Sequence, residues 1–414
     1  MFVLNRMSIA LALCLSSAWC LAEPQKIVAH EDPIIVDESL NLTKLIDLTL
    51  EKYPDTSWLK SLEDEARAID KRSQSWTAGS IQTFGRFQEA TSGTLHYFDT
   101  WVEVPLWNLG QRDAEHTVSE KAQASAEMQM FATKLRVAGL VRAALWDMEL
   151  QKIRYDQAVI ETDFYEKLTA KIERRVELGD LPRSDLLLAK TELLQKRSTL
   201  ITAEAELMHA RKRYQTITQT TKVPKTYREK LVELKSVEQT HPALVSLGSQ
   251  IERKRAEIES IRLIGSGQSN VAVGVNGDMG DSRSNKTASF NVAVMVPFGG
   301  EDHLAPQIAA ANVELNKLLA ERDQLYRDLQ QAHHEAEHNL EVNKAELDNA
   351  NQLNKTAKDL LIMSSTAFSV GEIDLLDLLK IQAKAQQAEL NAKERAVMLE
   401  RDIALYNQAV GVLP

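Results

Sequence analysis

The 414-residue chain carries 59 Asp and Glu against 49 Lys and Arg, a formal net charge of −10, with only 16 Gly, 10 Pro and 2 Cys. The acidic balance argues against nucleic acid or any other polyanion as a partner and favours cations. Both cysteines, Cys14 and Cys20, fall within the first 22 residues, so the rest of the chain has no disulfide framework and no thiolate metal site.

In chain order, residues 1–22 read as a secretory signal peptide. Arg6 supplies the positive start, "SIALALCL" the apolar stretch, and Cys20-Leu21-Ala22 a small-x-small cleavage site before Glu23-Pro24. Leu13 before Cys14 and Trp19 before Cys20 argue against lipidation. Beyond the leader no apolar run approaches the ~20 residues of a membrane helix. The spacing then predicts an N-terminal segment with the first short helices (23–75), a β-hairpin (76–107), a long helical hairpin (108–219), connecting helices (220–267), a second β-hairpin (268–298) and a second long helical hairpin (299–414).

That order is an internal duplication. "WVEVPLWNLGQRDAE" pairs with "NVAVMVPFGGEDHLA", setting Pro105 against Pro297 at an offset of 192 residues (297 − 105). "VELGDLPRSDLLLAK" pairs with "FSVGEIDLLDLLKIQ" at the same offset, matching Gly179 with Gly371 and Asp185 with Asp377, and Tyr214 matches Tyr406. Pro54 and Pro242 align as helix starts at a slightly smaller shift, 188 (242 − 54). The long helix of the first copy is expected over roughly Gln111 to Leu178, about 100 Å at about 1.5 Å per residue. Its counterpart is expected from about Leu304 to Phe368, with a seam of Leu318, Leu325, Leu329, Ala332, Ala336, Leu347 and Ala350 at three- and four-residue steps. Helices of that length exceed any globular core, so they pack side by side or form a tube.

The extended segments alternate. Val271, Val273 and Val275 share one face, as do Phe290, Val292, Val294 and Val296, around the polar loop "DSRSNK". "SIQTFGRFQEA" and "LHYFDTWVEVPLW" flank "TSG" in the first copy, where Trp76, Trp101 and Trp107 sit as interfacial girdle residues would. The alternation also suits a small soluble sheet. In a bilayer, however, backbone amides require a closed barrel. Four strands are too few, since the smallest membrane barrels have about eight, so several chains must share one barrel.

On the two-copy layout, the "VPLWNLGQR" and "VPFGGEDH" junctions and the paired "LGDLPRSDLLLAK" and "VGEIDLLDLLKIQ" turns, the chain resembles TolC-type outer membrane factors over nearly all of its mature length. The resemblance implies a mainly α fold with a membrane β-barrel: two tandem repeats of short helix, β-hairpin and long helical hairpin, assembled as a trimer with a twelve-stranded barrel on an α-helical tunnel. It further implies a passive exit duct in the cell outer membrane that reaches into the periplasm. A periplasmic adaptor and an inner-membrane pump would open it, with no catalysis and no cofactor. The closing "YNQAVGVLP" resembles the short members associated with heavy-metal efflux, which implies metal cations as cargo.

Gly179 and Gly371 each close a long helix, where a left-handed C-cap favours glycine. By resemblance, Leu178, Gly179 and Asp180 with Val370, Gly371 and Glu372 form the adaptor-docking tips. Asp185 and Asp377 match tip aspartates that form a cation-favouring carboxylate ring in a trimer; a plain helix-start acid is the alternative for Asp185. Lys380 and Leu188 stand where some relatives have a second aspartate, and Ile373 stands where one uses arginine, which puts the gating lock in doubt.

One stretch points elsewhere. His334-Glu335-Ala336-Glu337-His338 matches the H-E-x-x-H signature of zinc metallopeptidases. On a helix, His334 and His338 lie opposite the predicted seam, and the duplicated positions hold Arg142 and Trp146. Adventitious metal binding by His334 and His338, with His333 nearby, fits better than a hydrolase. The remaining alternative is a periplasmic coiled-coil adaptor or structural protein without a membrane barrel.

Overall fold

The structure, a computed structural model, describes residues 33–92, 96–280 and 286–414. The expected leader and part of each β-hairpin loop lie outside the described residues. Chain order is β1 (Ile35–Asp37), α1 (Leu42–Glu51), α2 (Thr56–Ser73), β2 (Gln82–Glu89), β3 (His96–Leu106), α3 (Gln111–Glu177), α4 (Arg183–Thr218), β4 (Lys222–Pro224), α5 (Pro242–Ile264), β5 (Ser269–Met279), β6 (Thr287–Met295), α6 (Glu301–Ser369) and α7 (Leu375–Ala409). At 67 and 69 residues, α3 and α6 are each about 100 Å long. No helix among the described residues is long and apolar enough to cross a membrane.

The repeat is written into the backbone. Gly179 (φ 83°) and Gly371 (φ 81°) end α3 and α6 in the left-handed conformation. Gln219 (φ 52°) and Gly411 (φ 85°), again 192 residues apart (411 − 219), do the same after α4 and α7. Tyr214 and Tyr406 likewise play one part: each phenol donates to a backbone carbonyl of the segment between the two hairpins, Lys222 O of β4 and Leu234 O of the coil after it.

The two hairpins differ in what fills their seams. In the first, α1 lays Leu42, Leu45 and Ile46 onto Val137, Val141 and Leu145 of α3 and Ala210 and Tyr214 of α4. Asn41 starts α1, its side chain accepting from the Lys44 amide at 2.8 Å. The second copy has no counterpart of α1, and polar residues stand at the matching positions: His333 for Val141, Glu337 for Leu145, Asp402 for Ala210. His333 is buried against the Tyr406 hydroxyl at 3.3 Å. Asn343 is buried between Asp402 and Arg395.

The seam expected on α6 is thereby corrected. The chain buries Ala350 of that set, half-buries Leu318, Leu325, Leu329, Ala336 and Leu347, and leaves Ala332 exposed. An apolar count overlooks His333 and Asn343 because their burial depends on partners more than 50 residues away in sequence. The connecting segment is also simpler than expected, with one helix, α5, preceded by β4 and coil.

Arg142, at the position that His334 holds in the second repeat, is the largest fully buried side chain. It makes a two-pronged pair with Glu229 (2.8 and 2.6 Å) and donates to Gln408 Oε1 (2.5 Å) and Val412 O (3.0 Å). It thus ties α3 to the linker and to the end of the chain. Breaking one half of such a pair costs about 3–5 kcal/mol, because the other charge stays buried. Arg142→Ala is expected to lower the urea midpoint of the helical circular-dichroism signal sharply, and joint R142M/E229L to recover most of the loss. A single variant that unfolds like the parent contradicts this.

Candidate functional site: the helix tips and the open sheet

Both helical turns end at one apolar cluster. Tyr165 and Ile172 of α3, Ala189 of α4 and Leu375 and Leu379 of α7 are buried together, with Phe368 of α6 packed on them. The Arg175 guanidinium lies 5.5 Å over the Phe368 ring. Burial, with the Glu192 and Glu161 carboxylates nearby, pushes the Tyr165 phenol up to about 12, so it stays neutral at the cluster.

The turns themselves are twins. The amide of Gly179 donates to Val176 O (3.1 Å) and that of Asp180 to Arg175 O (2.8 Å). Gly371 donates to Phe368 O (3.2 Å) and Glu372 to Ala367 O (2.9 Å). This is the paired hydrogen bonding of a Schellman cap, which needs a left-handed residue at the glycine. Leu178 and Val370, 70% and 67% exposed, stand at the apex as matching unpartnered apolar residues.

The return helices start differently. Asp374 caps α7, its carboxylate accepting from the Asp377 amide at 2.7 Å; Pro182 holds the same place before α4 with no side-chain cap. Asp185 is half-buried, 3.3 Å from the Ser184 hydroxyl. Asp377 is exposed and paired with Lys380 at 3.2 Å. An exposed pair of this kind is worth at most about 1 kcal/mol, yet it offsets one charge of the acidic tip. Ile373 is half-buried. An aspartate directly before an apolar helix start, as Asp374 is, is an N-cap signal, whereas the Lys380 pairing with Asp377 has no signal in the spacing.

At the other end, β2, β3, β5 and β6 form one antiparallel sheet in that order. The register sets Val271 opposite Val294, Val273 opposite Val292 and Val275 opposite Phe290, and Val102 opposite Val273. One face is therefore an apolar band, with Phe290, Val292 and Val294 more than 60% exposed. The other face is mainly polar. Arg86 pairs with the buried Asp99 at 3.3 Å, and Asn276 accepts from Asn291 at 2.5 Å and donates to the Tyr97 hydroxyl at 3.4 Å.

Two glycines let aromatic rings lie flat on the sheet. A Cβ on Gly274 would stand 2.6 Å from the Trp101 ring, and one on Gly277 2.1 Å from Phe98. Trp101 thus belongs to the polar face, opposite the exposed valines, which strand parity sets against the girdle position expected for it. Trp107 sits at the base of the sheet, its indole donating to Ser75 O at 3.0 Å. Among the described residues the outer edges of β2 and β6 have no strand partner.

His334 and His338 are exposed on α6, and Glu335 accepts from Gln331 at 2.8 Å. Among the described residues no group of three His, Cys, Asp or Glu is placed to hold a metal. The pair therefore lacks the third ligand of a zinc site.

No protein-family profile and no curated protein matches the chain. Solved structures do. The Vibrio cholerae outer membrane protein VceC aligns at TM-score 0.71 and 10% identity, covering 90% of this chain and 96% of that one. The open state of the Neisseria gonorrhoeae MtrE outer membrane channel aligns at TM-score 0.67 and 13% identity, with 92% and 91% covered. The Campylobacter jejuni CmeC outer membrane channel aligns at TM-score 0.68 and 13% identity, with 90% and 85% covered. The likeness is one of fold: the chain has the outer membrane factor fold.

Gly179→Ala and Gly371→Ala each impose a left-handed alanine, at a cost of about 1–2 kcal/mol. Amide exchange at Asp180 and Glu372, the donors that close the two caps, is expected to accelerate on the order of tenfold. Unchanged protection at both contradicts the cap assignment.

Proposed function

We propose that the chain is one subunit of a homotrimeric exit duct in the cell outer membrane. It is a passive channel without catalysis, opened at its periplasmic tips by an adaptor and an inner-membrane pump. The sheet carries this reading: one face is apolar and exposed, both edges lack partners among the described residues, and the strands continue into helices about 100 Å long. Lipid would take the apolar band, and strands from other copies would take the edges. The fold shared with outer membrane channels supports the same assignment.

At the far end, Leu178-Gly179-Asp180 and Val370-Gly371-Glu372 serve as the adaptor-docking tips. Their support is that two apolar apices, alike in sequence and backbone, project from one buried cluster. Asp185 and Asp377, repeated in three copies, form carboxylate rings at the narrow end and favour cation passage. Lys380 moderates the Asp377 ring. Metal cations are the proposed cargo, on the acidic balance and the C-terminal ending.

In planar bilayers the purified protein is expected to form cation-selective pores. Asp377→Ala should reduce cation over anion permeability and Lys380→Ala should raise it, both read from reversal potentials under a salt gradient. Identical reversal potentials for all three proteins overturn the ring, and absence of any conductance overturns the duct. Deletion of the protein is expected to lower tolerance of divalent metals; unchanged tolerance overturns the cargo.

A further inference from the structure

A cleft of about 460 Å³ opens where α7 ends and α5 begins, with further walls from α3 and α6. Ala132, Ala243, Ala332, Ala336 and Ala409 leave the space, and Leu135, Leu329 and Leu405 make it apolar. On α7, Asp402, Leu405 and Ala409 border the cleft. Tyr406 and Asn407, which hold the linker, lie on the opposite face of that helix.

One polar group lines this space without a partner. His241, which caps α5, is 3% exposed. Its Nδ1 accepts from the Ala243 amide at 3.2 Å, and burial pushes the imidazole below the ordinary histidine range. The ring is therefore neutral and carries its proton on Nε2. That Nε2–H has no acceptor among the described residues. Gly411, in the left-handed conformation, holds the ring in place: a Cβ there would stand 2.6 Å from His241 Cδ2. Other polar groups of the cleft are engaged. Gln408 donates to Leu135 O and accepts from Arg142, while Asp402 accepts from Asn343 and Arg401.

The first repeat treats the matching positions differently. Asn339 and Leu405 of the cleft correspond, 192 residues earlier, to Asp147 and Arg213, which pair at 2.6 Å between α3 and α4. At the 188-residue shift of Pro54 and Pro242, His241 corresponds to Tyr53, whose ring lies 5.6 Å under the Arg136 guanidinium. The second repeat thus has an apolar cleft and a bare donor where the first has an ion pair and a covered ring.

We propose that this cleft binds a small apolar organic molecule through a carbonyl or carboxylate oxygen that accepts from His241 Nε2–H. Its volume lies within the range of ordinary small-molecule pockets, about 300–1,000 Å³. The alanine and leucine walls take the apolar body, and the oxygen meets the one buried donor that the chain leaves open. Because Nε2 presents a hydrogen, it is no ligand for a metal cation, so the site is distinct from any passage of metal cargo. An occupant would touch α3 of the first repeat and α5, α6 and α7 of the second. The proposal holds whether or not the chain forms a duct.

Benzophenone joins one carbonyl to two apolar rings and attaches to neighbouring C–H bonds under ultraviolet light, which makes it a direct probe. On the intact protein in mild detergent, its label is expected on peptides carrying Leu329, Ala336 or Leu405. Fluorenone should compete at roughly tenfold lower concentration than fluorene, the same ring system without the oxygen. In His241→Phe the two should compete alike. Ala336→Phe, which fills the cleft and leaves His241 in place, should abolish the label. A label retained in Ala336→Phe overturns the site, and equal competition by the two ring systems in the parent overturns the role of His241. A label absent from these peptides means that water alone meets the donor, and it overturns the proposal outright.

Discussion

A backbone amide or carbonyl left without a partner in hydrocarbon costs several kcal/mol, and this chain has two strand edges that would meet that cost in a membrane. Its four-stranded sheet pairs β2 with β3, β3 with β5 and β5 with β6, leaving the outer sides of β2 and β6 open. The apolar band across β5 and β6 suits lipid, while the Arg86–Asp99 and Asn276–Asn291 contacts line the opposite face and suit water. A sheet so divided suits a segment of a barrel wall, and under the proposed function closure would fall to other copies.

The two repeats share turn chemistry and differ in what holds them. Left-handed residues at 179, 219, 371 and 411 end all four long helices alike, since each helix must leave its last carbonyls satisfied in a tight turn. The first hairpin is wedged by α1 into an apolar core around Leu45 and Val141. The second hairpin lacks that wedge and closes over His333, Asn343 and Asp402. A buried polar seam depends on its hydrogen bonds being complete, and here His333 meets Tyr406 while Asn343 meets Asp402 and Arg395. Arg142 secures the first hairpin to the linker and to the chain end.

Much of the architecture was legible because it repeats. A constant offset located both hairpin turns and both strand-to-helix junctions, and period-two alternation assigned Val271, Val273 and Val275 to the apolar face. Other features had no local signal. β1 and β4 are three residues each and pair across almost the whole first repeat, beyond the reach of periodicity. His333 reads as a surface residue until Tyr406 is placed beside it. Trp101 reads as a girdle residue until strand parity puts it over Gly274. The H-E-x-x-H stretch shows the converse, a pattern legible in sequence that no third His, Cys, Asp or Glu joins among the described residues. At the tips, the glycines were readable from turn chemistry, whereas the Lys380 contact with Asp377 depends on side-chain geometry that spacing alone does not fix.

The strand edges offer the most direct test. Hydrogen exchange on the protein extracted from membranes in mild detergent separates the outward amides of β2 and β6 from the inner amides of β3 and β5. Edges completed by neighbouring copies should exchange as slowly as the sheet interior. Rapid exchange along both, beside a protected β3 and β5, would mean that the sheet stays open and that the chain builds no barrel.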